Sequence, residues 1–157
     1  MGVQSKFDFD TPFIMNEITE AVARGVSATN IELQSRIKIK LSQPGSGNLR
    51  SKGGRASLAG QPPAPLTGDL RRSFTTAGMS RVTKEGKVIR GTVGQGSGLA
   101  NVKKYAAALE YGYTARNLQP RPYLQPVVNE ARTDDVAAIL IRYQVEITAA
   151  ELNEKYL

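Results

Sequence analysis

The 157-residue chain contains no cysteine and no histidine, and these two absences exclude several kinds of site. Without cysteine there can be no disulfide, no thiolate nucleophile and no cysteine-ligated zinc. Without histidine the chain lacks the most common general base and the most common metal ligand. The longest apolar run is Val136 to Ile141, whereas a membrane-spanning helix needs about 20 residues. The sequence therefore predicts a protein that is not an enzyme, has no catalytic, cofactor-binding or metal-binding residues, and does not enter a membrane.

Positive charge is concentrated in the middle of the chain, whose net charge as a whole is +7. Residues 33–121 contain 16 lysines and arginines against three acids, a net charge of +13, whereas residues 1–32 and 122–157 each carry −3. Such a division predicts an electropositive surface that faces an anionic partner, either nucleic acid or the acidic surface of a neighbouring protein. Basic loops that only keep the protein soluble would give the same composition, so charge alone leaves both interpretations open.

The length fits one domain, residues 10–157, preceded by a loose arm at residues 1–9. A long N-terminal helix is expected to start at Asp10-Thr11-Pro12 and to continue to Leu41, because apolar residues recur at helical spacing throughout. Residues 36–41 also alternate between charged and apolar side chains, so a strand is the local alternative there.

The C-terminal part of the chain predicts a second long helix. Pro126 can open this helix, and no turn signal interrupts the following thirty residues. Residues 141–147 alternate between apolar and polar side chains, so a strand is again the local alternative. The broad apolar face of the helix would contain Val128, Ala131, Val136, Ile139, Leu140, Tyr143 and Ile147.

Between the two long helices the pattern indicates a small antiparallel sheet. Residues 79–94 read as a β-hairpin, residues 94–98 as a flexible connector, and Val102 to Glu110 as a short helix that ends near Gly112. An extended passage is expected at residues 114–126. The predicted fold class is therefore α+β, with a long N-terminal helix and a C-terminal helix packed on a small antiparallel sheet.

A long segment rich in glycine and proline, residues 43–66, follows the N-terminal helix. Nine of its residues are Gly or Pro, none is acidic, and Arg50, Lys52 and Arg55 supply its charge. This composition predicts a flexible basic loop, not a packed element, that only an anionic partner would order. The acidic surface of an adjacent protein is the favoured partner, and duplex DNA bound without sequence specificity is the alternative.

A short helix is predicted at residues 67–74, directly after this loop. Its threonine would cap the first turn, and two apolar side chains at i and i+4 would be buried in the core. The expected structural anchors are Thr67, Gly68, Leu70 and Phe74, while Arg71 and Arg72 would point outward.

Three segments follow one another in a recognisable order. They are G-Q-P-P-A-P-L-T-G-D-L-R-R-S-F at residues 60–74, Y-A-A-A-L-E-Y-G at residues 105–112 and R-P-Y-L-Q-P at residues 121–126. Together with a long helix on each side, they resemble the tail-completion or neck (head–tail joining) proteins of tailed bacteriophages, including the lambda-type minor tail protein Z group. The resemblance covers about residues 10–150, and the Gly-rich insertion at residues 42–58 departs from it.

The resemblance implies a structural virion component without catalytic activity. Such a protein forms a homo-oligomeric ring at the head-proximal end of the tail, completes the tail and joins it to the DNA-filled head. Six copies would match the symmetry of the tail, and twelve would match the portal. Expected partners are head-completion or connector proteins, tail terminator or tube proteins and channel DNA. The protein itself is expected in the virion and, during assembly, in the host cytoplasm. The candidate assembly residues are Arg50, Lys52, Arg55, Arg71, Arg72, Tyr105, Glu110, Tyr111, Arg121 and Tyr123.

Two other functions stay open at this point. The chain could form the neighbouring tail terminator ring, or it could be a basic nucleic-acid-binding protein without sequence specificity. For Glu110, an ion pair with a nearby arginine is the expected arrangement, and for the tyrosines core packing and subunit contact are equally compatible with the sequence.

Overall fold

Five α-helices and one two-stranded antiparallel sheet make up the part of the chain that the structure describes. This computed structural model describes residues 11–51, 53–77, 89, 92–95 and 100–156. In chain order the elements are α1 (Thr11–Lys40), α2 (Asp69–Ser73), β1 (Phe74–Ala77), β2 (Thr92–Gln95), α3 (Ala100–Tyr111), a 3-10 turn (Thr114–Arg116), α4 (Leu124–Thr133) and α5 (Val136–Tyr156). The predicted α+β fold class is confirmed. The arm predicted at residues 1–9 lies outside the described residues.

The longest elements, α1 and α5, pack against each other in antiparallel directions. Arg36 Nη1, near the end of α1, donates to Asp134 Oδ2 at 2.6 Å, directly before the start of α5. Arg24 Nη2, in the first half of α1, donates to Thr148 Oγ1 at 2.8 Å in the second half of α5. The start of α1 therefore lies beside the end of α5, and the two helices form the α1–α5 pair on which the other elements are placed.

A glycine allows the backbones of α1 and α5 to approach closely. Gly25 is buried, and a Cβ atom built on it would lie 2.6 Å from Ile141 Cα and 2.9 Å from Ile141 Cγ1. Real Cβ atoms essentially never come so close to another carbon. The absence of a side chain at residue 25 therefore sets the separation of the two helices.

The hydrophobic core lies where the end of α1 meets β1 and α4. Its buried side chains are Ile37, Leu41, Phe74, Tyr123 and Val127. The rings of Phe74 and Tyr123 meet edge to face, with centroids 5.9 Å apart and planes at 80°, an arrangement that contributes about 0.5–1.5 kcal/mol beyond the area buried.

The first strand of the sheet begins earlier in the chain than the hairpin predicted at residues 79–94. β1 starts at Phe74, which lies opposite Gln95 of β2 in the antiparallel register. The prediction that Phe74 belongs to the short helix is wrong, because α2 ends at Ser73 and Phe74 has extended backbone angles. From the strand, the Phe74 ring reaches its aromatic partner in the core. The predicted hairpin turn at residues 84–87 lies outside the described residues.

The elements after the sheet largely follow the predictions. The helix predicted at Val102 to Glu110 is α3, and Gly112, which follows it, has φ +82° as expected of a helix C-terminus. The connector predicted at residues 94–98 begins within β2, and residues 96–99 lie outside the described part of the chain. The passage expected to be extended contains the 3-10 turn before α4.

The single C-terminal helix predicted from the sequence is wrong, because the structure has two helices there. α4 ends at Thr133 and α5 begins at Val136, with Asp135 between them at φ +49°. Aspartate tolerates this left-handed conformation better than most residues. Pro126 is the third residue of α4 instead of its first, where its missing N–H still costs no helical hydrogen bond. The strand alternatives at residues 36–41 and 141–147 are also wrong, since both segments are helical.

Only part of the apolar face predicted for the C-terminal helix is buried. Of its members on α5, Val136 is buried, whereas Ile139 and Tyr143 are 60% and 58% exposed, and Thr148, which is not a member of that face, is buried. The break at Asp135 turns α5 relative to α4, so the apolar residues of the two helices do not form one continuous face.

The segment at residues 43–66 contains no helix and no strand among its described residues, but part of it is packed. An isolated bridge joins Leu49 and Arg55, and Ser57, Pro63 and Ala64 are buried. The prediction that this segment is not a packed element therefore needs correction for its second half, where proline and alanine supply apolar surface. Its flexibility stays a prediction, and Lys52 lies outside the described residues.

Replacing Gly25 with alanine should destabilise the protein, although alanine favours helix by about 1 kcal/mol over glycine. The added methyl group meets the backbone of Ile141, and overpacking of this kind costs about 1–3 kcal/mol. Urea unfolding followed by circular dichroism measures the change. Ser35→Ala, at an exposed site on α1, is the control, and a Gly25→Ala protein as stable as the control would contradict the close helix contact.

Candidate functional site

The candidate site is the region where the three segments that carry the phage resemblance meet. Its central feature is Glu110, which is only 6% exposed. Its carboxylate accepts three backbone N–H groups: Tyr123 N at 2.8 Å and Leu124 N at 3.0 Å bind Oε2, and Gln125 N at 2.8 Å binds Oε1. These N–H groups belong to the first turn of α4 and have no partner within the helix. Glu110, from the end of α3, therefore caps α4 and places negative charge at its positive end.

A tight turn after α3 brings the second and third segments together. Gly112 ends α3 with φ +82°, and a Cβ atom there would lie 3.0 Å from both Leu118 O and Pro120 Cδ. The returning chain is held where Arg121 N donates to Leu109 O at 2.7 Å. Because of this turn, the start of α4 lies beside the Glu110 carboxylate.

The first segment joins this unit through the core and through a small polar cluster. Its Phe74 contacts Tyr123, while at the start of α2 the Asp69 carboxylate accepts from the Thr67 hydroxyl and from Arg72 Nη2, both at 2.5 Å. The Thr67 hydroxyl, followed by the Arg72 guanidinium, lowers the pKa of Asp69 below its ordinary value.

Two predictions for the short helix need correction. Thr67 is not the N-cap residue of α2, because Gly68 holds that position at φ +77°, in the left-handed conformation that glycine adopts easily. The first N–H group of α2, that of Asp69, nevertheless donates to the Thr67 hydroxyl in a long hydrogen bond of 3.4 Å. Leu70 is only partly buried, although it packs against the core as predicted. Arg71 and Arg72 are exposed.

The structure separates the other candidate residues into buried and exposed groups. Tyr123 is 3% exposed, and burial, followed by the nearby Glu110 carboxylate, raises the pKa of its hydroxyl. Tyr105 and Tyr111 are 41% and 77% exposed, and partial burial, followed by the charge of Asp69, raises the pKa of Tyr105. Glu110 and Tyr123 therefore stabilise the fold, while Tyr105 and Tyr111 lie on the surface.

The ion pair expected for Glu110 is wrong. In the described part of the chain its carboxylate contacts backbone N–H groups and no arginine side chain. The sequence carries no signal for this arrangement, since the capped N–H groups lie 13 to 15 positions away and are brought there only by the turn at Gly112.

The charge division of the sequence is reproduced in part in space, although Glu130 and Asp134 pair with Lys40 and Arg36 at the end of α1. The C-terminal half of α1, the loop, α2 and the R-P-Y-L segment lie together and carry Arg50, Arg55, Arg71, Arg72 and Arg121. At the opposite end of the α1–α5 pair, glutamates from the first half of α1 and the second half of α5 lie on the same end of the molecule. We call it the acidic end; its exposed acids are Glu20, Glu146, Glu151 and Glu154. Sequence reasoning missed this arrangement because it depends on the antiparallel packing of α1 and α5.

The described residues contain no cluster of three acidic side chains placed to hold a metal ion. Within the same residues, no helix has the length and apolar character needed to cross a membrane. Comparison of the chain with known protein families, curated proteins and solved structures finds no match.

Glu110→Ala should lower the free energy of unfolding by about 3 kcal/mol, because buried N–H groups that lose a charged acceptor are costly. Glu110→Gln keeps one acceptor oxygen and should lose less. Urea unfolding at neutral pH measures both changes. The exposed Glu146→Ala serves as the control, and an alanine variant within about 0.5 kcal/mol of it would contradict the capping role.

Asp69 should titrate below the ordinary value of 3.8, and carbon-detected NMR of its carboxyl group can follow this directly. Thr67→Val and Arg72→Ala should each raise the pKa of Asp69, because the Thr67 hydroxyl and the Arg72 guanidinium both lower it. Since the pKa is lowered in the folded state, the stability that Asp69 contributes is present above its unfolded pKa and is lost as pH falls through the folded value. An unchanged pKa in both variants would contradict the cluster.

Proposed function

We propose that this chain is a structural protein of the neck of a tailed bacteriophage, where copies form a ring that completes the tail and joins it to the head. The observation that carries the proposal is the placement of basic and acidic surfaces at opposite ends of the α1–α5 pair. A molecule with complementary charge at its two ends is suited to head-to-tail contact, and heterologous contacts of this kind close into rings when the rotation between copies permits.

The length of α1 supports this proposal. A helix of 30 residues is about 45 Å long, which is several times the Debye length of about 8 Å at physiological ionic strength. Dissolved ions therefore screen almost all of the attraction between the two ends of one molecule, and each end is available to a different neighbour.

The three segments that resemble the neck family also have connected structural roles. Glu110 of the second segment caps the helix that begins in the third, and Phe74 of the first packs on Tyr123 of the third. The three segments of the resemblance therefore belong to one structural unit. This supports a fold shared with the neck family more strongly than three unconnected segments would.

A second candidate function is binding of nucleic acid without sequence specificity. It is favoured by the exposed Arg55 and Arg71, which have no ion-pair partner among the described residues. Phosphate contacts from such residues weaken steeply as salt rises. A ring of the proposed kind could use the same arginines on the DNA that passes through it, so the two functions are separated by whether the protein is found in particles.

Deletion of the gene from the phage that encodes it should yield DNA-filled heads and separate tails of normal length, and supplying the protein from a plasmid should restore joining. Electron microscopy of the lysates gives the result, with the plasmid-supplied wild type as the control. Separate tails of irregular length would instead indicate the tail terminator, whose absence leaves tube growth unstopped. Normal yields of tailed, infectious particles, or a chain absent from purified particles, would contradict a neck function.

A further inference from the structure

A cleft of about 340 Å³ lies where the loop of residues 43–66 meets α2 and α3. Three arginines line it: Arg50 from the loop, Arg71 from α2 and Arg121 from the segment before α4. We call it the arginine cleft. Much of the remaining wall is apolar, and two of its side chains, Leu66 and Tyr105, are 60% and 41% exposed.

The three arginines have no carboxylate partner among the described residues. Arg71 Nη1 donates to the neutral hydroxyl of Ser42 at 3.0 Å, and Arg50 has only long contacts of 3.4 and 3.5 Å to backbone carbonyls. Arg121 Nε is buried and has no hydrogen-bond partner in the described part of the chain. Asp69, the acid that lines the cleft, already accepts from Thr67 and Arg72. The cleft therefore holds positive charge that its own acid does not neutralise, and this charge favours an anionic ligand.

The shape of the cleft favours a carboxylate on a protein over a phosphate on DNA. A small concave site with apolar walls and a few placed polar groups holds a side chain or a peptide. The backbone of a duplex is bound mainly through projecting basic side chains, and its affinity does not require apolar walls. A protein segment that combines acids with apolar residues would use both the arginines and the exposed side chains at the rim.

The acidic end carries a surface of this composition. Tyr143, Ile147, Glu151 and Glu154 follow each other at helical spacing along α5 and therefore share one face. Tyr143 and Ile147 are 58% and 36% exposed, and both glutamates are exposed. We call these four residues the α5 stripe. Its carboxylates form no ion pair among the described residues.

We propose that the arginine cleft of one copy binds the α5 stripe of a second copy, with Glu151 and Glu154 reaching the arginines and Ile147 packing at the rim. This inference rests on the proposed ring and names the contact that would build it. The cleft and the stripe of one copy cannot meet, because Thr148 lies beside Arg24 and the cleft lies beside Leu41, about 25 Å away along α1. The contact is therefore between different copies and is head to tail.

Charge reversal on each side tests the contact. A cleft variant, Arg50→Glu with Arg71→Glu, and a stripe variant, Glu151→Arg with Glu154→Arg, should each associate at least about tenfold more weakly than the wild type, since like charges then face each other. Sedimentation velocity over a range of concentrations measures association. Arg116→Glu with Arg132→Glu, both exposed and outside the cleft, gives the same change in net charge as the cleft variant and should associate like the wild type.

Mixing the two variants distinguishes a specific contact from a general effect of charge. The reversed cleft of one variant then faces the reversed stripe of the other, so equimolar mixing should restore association, and so should all four substitutions in one chain. Circular dichroism confirms that each variant is folded before it is mixed. Failure of both rescues with folded proteins, or a wild type that stays monomeric at every concentration, would overturn the proposal.

The outcomes also separate this contact from the neck function. If the cleft variant associates normally but no longer binds duplex DNA, the cleft is a phosphate site and the copy-to-copy contact is wrong. If both variants associate normally and still join heads to tails when supplied to the deletion phage, the neck function stands and the ring uses another surface. If the contact is confirmed but the protein is absent from particles, the neck function fails and the contact remains.

Discussion

The arrangement of the basic half of the domain depends on one buried carboxylate. Glu110 fixes the start of α4 by accepting its first free N–H groups, and the direction of α4 decides where Tyr123 and Val127 enter the core. The Tyr123 ring in turn contacts the ring of Phe74, the first residue of β1. The position of β1 therefore also depends on the cap that Glu110 forms. A carboxylate can hold this place without a cationic partner because backbone dipoles at a helix N-terminus already supply partial positive charge.

Local patterns in the sequence predicted the features that depend on local physics. The continuous helical spacing from Ile14 to Leu41 predicted α1, and Gly112 marked the end of α3, because periodicity and glycine conformation are properties of short stretches. The break at Asp135 was missed because the side chain of aspartate permits the left-handed conformation but does not impose it. The conformation is adopted here so that α5 can pack on the rest of the domain. Phe74 was placed in a helix because its spacing from Leu70 is helical, whereas its ring contact lies 49 residues away in the chain.

The candidate site follows the same division. Composition located the basic segment and its arginines, and the short motifs indicated which segments belong together. The functional geometry could not be predicted, because it arises from contacts between residues distant in the chain: Glu110 with α4, the loop with α2, and α1 with α5. The exposed stripe on α5 became visible only when the packing face of that helix was known, since Ile147 and Tyr143 look like core residues in the sequence.

The close approach at Gly25 has a consequence for assembly. In a ring made by head-to-tail contacts, the number of subunits is decided by the distance and rotation between the two contacting surfaces of one subunit. In the ring proposed above, those surfaces are carried by opposite ends of the α1–α5 pair, and the Gly25–Ile141 contact sets how closely the two helices approach. The absence of a side chain at Gly25, in the middle of the molecule, would thereby influence the curvature of the whole ring, although Gly25 itself would contact no neighbouring subunit.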